Sequence, residues 1–213
     1  MSLYNILAPA MRNPRSYQAY HSVVAELVRQ QKTSGPEQSE ERIAYTKLNL
    51  QRMKRVEKQF VLLPELEMLL QENKPEWEWV VLSESWCGDG AQQIPAIAAI
   101  AAQAPGISLR VLLRDENPNW MDTCLTNGSR AIPKLICTSP VTGERMFTWG
   151  PRPAAIQEQL NNFKAANPRA EAAEVALYLH SLYAQDRSQA LQQDLLVLMR
   201  RALQVKENEA LAH

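Results

Sequence analysis

Between Pro14 and Gln31 the apolar positions Tyr17, Tyr20, Val24, Leu27 and Val28 recur at three- and four-residue intervals. That spacing puts them on one face of a helix, which "KTSGP" stops with its Gly and Pro. After Pro36 the run "EQSEERIAYTKLNLQRMKRVEKQF" is rich in helix formers and carries Ile43, Leu50, Met53 and Phe60 as its apolar stripe. Pro64 starts or kinks a further turn or two through Leu70. The texture changes at Trp77. "WEWVVLS" is aromatic and β-branched, as strands are. "GAQQIPAIAAIAAQA" predicts a helix, "ISLRVLLRD" a strand and "PNWMDTCLTNG" a short helix. "KLICTS" and "RMFTW", parted by "PVTGE", predict a hairpin, with a helix from Pro153 to Ala166 beyond it. Asn167-Pro168 caps two more helices, to Ala184 and from Asp186 to Val205.

The middle of the chain therefore reads βαβαββα. Its first half is a parallel, right-handed βαβ crossover, and its second half adds an antiparallel hairpin to the same sheet. The expected organisation is an N-terminal helical extension over 1–75, an α/β core with a central mixed sheet over 76–166 and a C-terminal helical extension over 167–213. There is no internal repeat and no low-complexity tract.

Composition narrows the functional classes. With 46% hydrophobic and 22% charged residues the chain is an ordinary globular one. Lys plus Arg and Asp plus Glu both total 23, so no overall field recruits nucleic acid or an anionic membrane. No apolar run approaches the ~18 residues a bilayer crossing needs, and "MSLYNILAPAMRNPRS" does not read as a leader, so a cytoplasmic protein is expected. The basic cluster Arg52, Lys54, Arg55 and Lys58 reads as a solvated helix face. His21, His180 and His213 stand at no metal-ligand spacing, and neither a metal site nor a cofactor is expected. Three cysteines, Cys87, Cys124 and Cys137, do not make a disulfide framework.

Cys87 stands where a strand gives way to a helix. There it meets unpaired backbone N–H groups and the positive end of the helix dipole, both of which favour a thiolate. Cys137, mid-strand among apolar neighbours, reads as a buried small hydrophobe. Cys124 could resolve a mixed disulfide only if its loop moved.

"SESWCGDGAQQIP" resembles the thioredoxin site: Trp-Cys after a strand, and Pro95 eight residues after Cys87. "RAIPKLI" supplies the Ile132-Pro133 pair whose peptide bond is cis in that family, beside the nucleophile. "RDENP" is similar to the end of the family's central strand, and Gly150 falls where the hairpin meets the last helix. The resemblance implies a thioredoxin-like fold over Trp77 to Phe163. "WCGD", "RDEN", "LTNG", "IPKLI" and "WGPRP" together look like a bacterial thioredoxin-like group with a single cysteine. The chain departs from thioredoxin at Gly90, where the resolving cysteine belongs, and at Val81, where the family carries a buried Asp.

By this resemblance Cys87 is the nucleophile and the Pro133 backbone aligns the incoming sulfur chain, with Ile132 beside it. Gly90 is either drift at a useless position or room for a small thiol. Asp89 caps the helix or takes part in catalysis; Glu84 accepts the thiol proton or faces water. Arg114, Arg130 and Arg152 converge to bind a carboxylate-bearing thiol, or pair with Asp115 or Glu116. Trp86 and Trp149 line the mouth. The expected function is monothiol thiol-disulfide oxidoreduction: Cys87 attacks a low-molecular-weight or protein disulfide, or a peroxide, and an external thiol resolves the mixed disulfide or sulfenic acid. The alternative is a redox-inactive binding or protein-interaction module, its helical extensions covering the partner face or forming a homodimer. An acyl transferase has no Cys-His or Ser-His arrangement in its favour.

Overall fold

The computed structural model describes residues 10–211. The first nine residues, read above for a leader, and His213 lie outside them. Helix α1 (Tyr17–Arg29) opens on Ser16, whose hydroxyl accepts from the Ala19 N–H. It is shorter at both ends than its periodicity suggested: residue 15 is pulled into an antiparallel bridge with Val111, and Gln31 leaves the helix at φ +53°. Helices α2 (Glu40–Gln59) and α3 (Pro64–Asn73) follow, the former capped by Ser39 and the latter begun by Pro64.

The core then runs β1 (Trp77–Ser83), α4 (Gly88–Ala102), β2 (Ile107–Leu113), α5 (Pro118–Met121), β3 (Lys134–Thr138), β4 (Arg145–Trp149) and α6 (Ala154–Ala166). The sheet order is β2-β1-β3-β4, with β1 parallel to β2 and antiparallel to β3, and β3 antiparallel to β4. This is the mixed sheet expected from the βαβαββα order. Helix α5 is one turn; the rest of the predicted helix is a loop closed by the Thr126–Ser129 bridge. Helix α7 (Ala172–Asp186) starts four residues after Pro168, on a reciprocal Glu171–Glu174 capping box, and α8 (Gln189–Leu211) completes the described chain.

Strand alternation sorts side chains between two faces. Trp77, Trp79, Val81, Val111, Leu113, Leu135, Cys137, Phe147 and Trp149 share the larger core with residues of α1, α2, α3, α4 and α8. Trp77 and Trp79 both meet Phe147 edge-on. Each tryptophan removes on the order of 200 Å² from water, about 5 kcal/mol of transfer free energy. On the opposite face Val80, Leu82, Leu112 and Ile136 pack with Trp120, Met121, Cys124, Ile132 and Cys87. Helix α8 lies against β4, whereas α6 packs on α7 and α8.

The face that α2 buries differs from its apolar stripe. Ile43, Leu50 and Phe60 are half-buried, while Thr46, Asn49, Arg52, Met53 and Val56 are buried. Three polar residues turn inward because polar partners meet them there: Ser85 of the β1–α4 turn for Thr46 and Asn49, and Asn49 itself and His180 of α7 for Arg52. Asn49 Nδ2 donates to the Ser85 carbonyl at 2.9 Å. Thr33, Thr46 and Ser85 join hydroxyl to hydroxyl at 2.6–3.1 Å. The basic cluster is thus only partly a solvated face: Lys54 and Lys58 are exposed, but Arg52 is 7% exposed.

Candidate active site around Cys87

Cys87 is the N-cap residue of α4, and its sulfur accepts from the Gly90 N–H at 3.3 Å. Its S–H donates to the Ile132 carbonyl at 3.4 Å. The Ile132–Pro133 and Gly150–Pro151 peptides are both cis. Gly150 has φ +111°, and a Cβ there would come within 3.0 Å of the Pro133 carbonyl oxygen. Only glycine lets the "WGPRP" turn close on the proline loop.

The electrostatics run against the expectation of a thiolate. Burial, followed by the Asp89 charge, pushes the Cys87 thiol up to about 12, although the Gly90 and Asp89 N–H groups and the Ser83 hydroxyl all favour the ionised form. The helix terminus does lower the cost of ionisation, but at 6% exposure desolvation outweighs it. At rest Cys87 is a protonated thiol.

The predicted site residues fall into three groups. Trp86, Cys87, Asp89, Arg114, Arg130 and Ile132 line one open cleft of about 520 Å³, together with Glu37, Glu41, Arg42 and Tyr45 from the α1–α2 loop and α2. Two guanidiniums lie over the Trp86 ring, Arg42 at 4.3 Å and Arg114 at 5.1 Å from its centroid. Arg114 pairs with Asp115, Arg130 with Asp122 through both carboxylate oxygens, and Arg42 with Glu37. The carboxylates these arginines bind are therefore already supplied by the chain.

Asp89 also belongs to a second group, with Arg152. Arg152 Nη2 meets Asp89 Oδ2 at 2.8 Å, so Arg152 pairs with neither Asp115 nor Glu116. Tyr183 of α7 donates to Asp89 Oδ1 at 2.7 Å. Arg52 Nη2 meets His180 Nε2 at 2.6 Å, and Arg52 Nη1 lies 3.3 Å from where a Cβ on Gly88 would stand. Burial and the Arg52 charge hold His180 down to about 4, so it accepts from Arg52 as a neutral ring. Together α2 and α7 close over the first turn of α4.

The third group points elsewhere. Glu84 neither faces water nor reaches the thiol: it is 1% exposed, accepts from the Ser34 hydroxyl and takes the Asp115 N–H at 2.9 Å. Burial raises its pKa. Trp149 does not line the mouth. It is in the larger core, its Nε1–H donating to Asp194 Oδ2 at 2.8 Å. Gly90 does not leave open room for a small thiol either; a Cβ there would stand within 3.0 Å of Ser83 Oγ.

Sequence reasoning missed Ser83, Arg42, Tyr45, Arg52, His180 and Tyr183. The one signal available was the three-residue spacing of Thr46, Asn49 and Arg52, continued by Val56, on the same face as Met53. Cys124, 6% exposed, directs its S–H at the Trp120 and Met121 carbonyls. Among the described residues, no group of three His, Cys, Asp or Glu side chains could hold a metal ion, and no helix is long and apolar enough to cross a membrane.

A mixed sheet ordered β2-β1-β3-β4, a helix opened by a cysteine directly after β1, and a cis Ile-Pro leading into β3 define a thioredoxin-like fold. A family model described as thioredoxin matches residues 35–166, and the chain belongs to that family. The match reaches back across α2 and α3. No curated protein matches the chain. Among solved structures, a protein of unknown function from Pseudomonas aeruginosa is similar with TM-score 0.54 and 16% identity, over 88% of this chain and 99% of that one. An HIV epitope-scaffold is similar with TM-score 0.52 and 16% identity, over 83% and 96%. At such identities the likeness is one of fold alone.

Proposed function

We propose that this protein is a one-cysteine thiol-disulfide exchange protein, with Cys87 as its nucleophile and the cleft beside Trp86 as its entry. The observation that carries the reading is placement: Cys87 alone among the described cysteines lines the cleft, next to the Ala131–Ile132 backbone that leads into the cis proline. The Cys87 thiolate attacks a disulfide RSSR′, so that the Cys87–S–S–R bond forms and the R–S–S–R′ bond breaks. R′S⁻ leaves and takes up the proton that the thiol released to solvent. An external thiol R″SH then attacks the adduct, giving RSSR″ and returning the Cys87 thiol. No second protein thiol takes part. A cleft of this size suits a small disulfide, and the closure of α2 and α7 over α4 restricts a protein disulfide to one presented at the cleft.

The raised pKa of Cys87 favours a second reading, a thioredoxin-fold binding module without turnover. One experiment separates the two. The reduced protein is incubated with glutathione disulfide at pH 8, analysed by peptide mass spectrometry, and then treated with an external thiol. Exchange chemistry gives a mixed disulfide on Cys87 that the thiol removes. An adduct on Cys87 only after denaturation would assign the protein to the binding class.

A further inference from the structure

Position 90 holds the residue that would carry the resolving thiol, and the space around it is occupied. A Cβ built on Gly90 stands 3.4 Å from Cys87 Cβ and 3.5 Å from Cys87 Sγ, the approach a second thiol would need, but also within 3.0 Å of Ser83 Oγ. Ser83 comes from the end of β1, is 0% exposed, and its hydroxyl has no hydrogen-bond partner of ordinary geometry. A buried hydroxyl left unpaired is costly, so one held beside a sulfur that alternates between thiol and thiolate calls for a reason.

We propose that Ser83 stands in for the second thiol: its hydroxyl, delivered from β1 instead of α4, fills the volume of a side chain at position 90 and is the group that faces the Cys87 sulfur. Gly90 is then the condition for Ser83, and the pair keeps the site monothiol. When Cys87 gives up its proton, the Ser83 O–H becomes a third donor to the sulfur beside the Gly90 and Asp89 N–H groups. Tyr20 lies beyond with its own O–H directed at the Glu84 carbonyl at 3.3 Å, and its oxygen is a second acceptor within reach of the Ser83 hydroxyl; once Cys87 ionises, the sulfur is the charged acceptor and takes the Ser83 proton as a hydrogen bond. Ser83 is a positioning residue. The steric part of the inference stands without exchange chemistry; its effect on rate rests on the proposed function.

The test is a double-mutant cycle with a chemical readout. Gly90→Ala should lower Tm by several degrees in the wild-type background and by little in Ser83→Ala; equal costs in both would overturn the inference. Gly90→Cys should form a disulfide between Cys87 and the introduced thiol on mild oxidation, seen as a loss of two hydrogens, only when combined with Ser83→Ala. Ready closure with Ser83 present and Tm unchanged would also overturn it. Should a variant at position 90 not fold, Ser83→Ala alone decides: exchange of Cys87 with a small disulfide should slow about tenfold at every pH from 7 to 9, the Tm holding. A rate equal to wild type would remove the hydroxyl from the sulfur's surroundings. Wild-type Cys87 that never exchanges would sink the proposed function while leaving the Tm cycle intact.

Discussion

The protonated state of Cys87 has a rate consequence that can be worked through. The thiol stands at about 12 against an ordinary 9.0. At pH 8 and below the thiolate fraction is then lower by about 1,000-fold. A more basic thiolate is also the better nucleophile, and with a Brønsted slope of about 0.4–0.5 a three-unit rise returns roughly 15- to 30-fold. The net expectation is exchange about 30- to 60-fold slower than that of free cysteine, before any loss from burial. The assay is stopped-flow reaction of the native protein with an aromatic disulfide from pH 6 to 10, with Cys87→Ser subtracting Cys124 and Cys137. The rate should climb tenfold per pH unit with no plateau. Asp89→Asn, which removes the second cause of the upward shift, should be faster than wild type at each pH. A plateau below pH 8, or a rate above that of free cysteine, would refute the assignment of burial as the dominant influence on this sulfur.

Other consequences concern the polar seams around the site. Asn49→Ala strips the Ser85 carbonyl and Arg52 Nη1 of their partners, and urea unfolding should show a loss of about 2–4 kcal/mol; a change under 0.5 kcal/mol would remove Asn49 from the account. Burial raises the Glu84 pKa, so its protonated form suits the fold, and that contribution is complete below its ordinary 4.5 and lost as pH rises through the folded value. Thermal melts from pH 4 to 8 should therefore show Glu84→Gln gaining on wild type as pH rises; parallel curves would refute this. His180 has the opposite sense. Its folded pKa is depressed from 6.5 to about 4, so the stability it confers is present above 6.5 and drains away as pH falls toward 4. His180→Gln, whose amide oxygen can accept the same Arg52 N–H, should flatten the stability curve across that window.

The sheet was legible because its strands differ in composition from everything around them: aromatic and β-branched "WEWVVLS" and "ISLRVLLRD" against alanine- and glutamine-rich helices. The location of Cys87 followed from local spacing too, since a helix cap is a matter of a few residues. Its protonation did not, because its burial comes from packing with Trp120, Met121, Cys124 and Ile132, the last of them forty-five residues later. The same limit hid the partners of Asp89 and Arg152. Those residues meet because α4 and the "WGPRP" turn are brought together by the sheet, and Tyr183 arrives from a helix that no local pattern connects to the site. Trp149 misled for a simpler reason: strand alternation turns it to the core face, along with Phe147 two residues before it.

The bridge between Arg15 and Val111 bears on how the molecule behaves at high concentration. β2 is an outer strand, and outer strands offer N–H and C=O groups on which a foreign strand can build. Arg15 takes two of these, donating to the Val111 carbonyl at 3.1 Å and accepting the Val111 N–H at 2.8 Å, while its charged side chain pairs with Glu116. A single residue thus closes the middle of the exposed edge and marks it with charge. A chain shortened to begin at Tyr17 would keep α1 and every residue that lines the cleft, yet it would present β2 unguarded to other copies of itself.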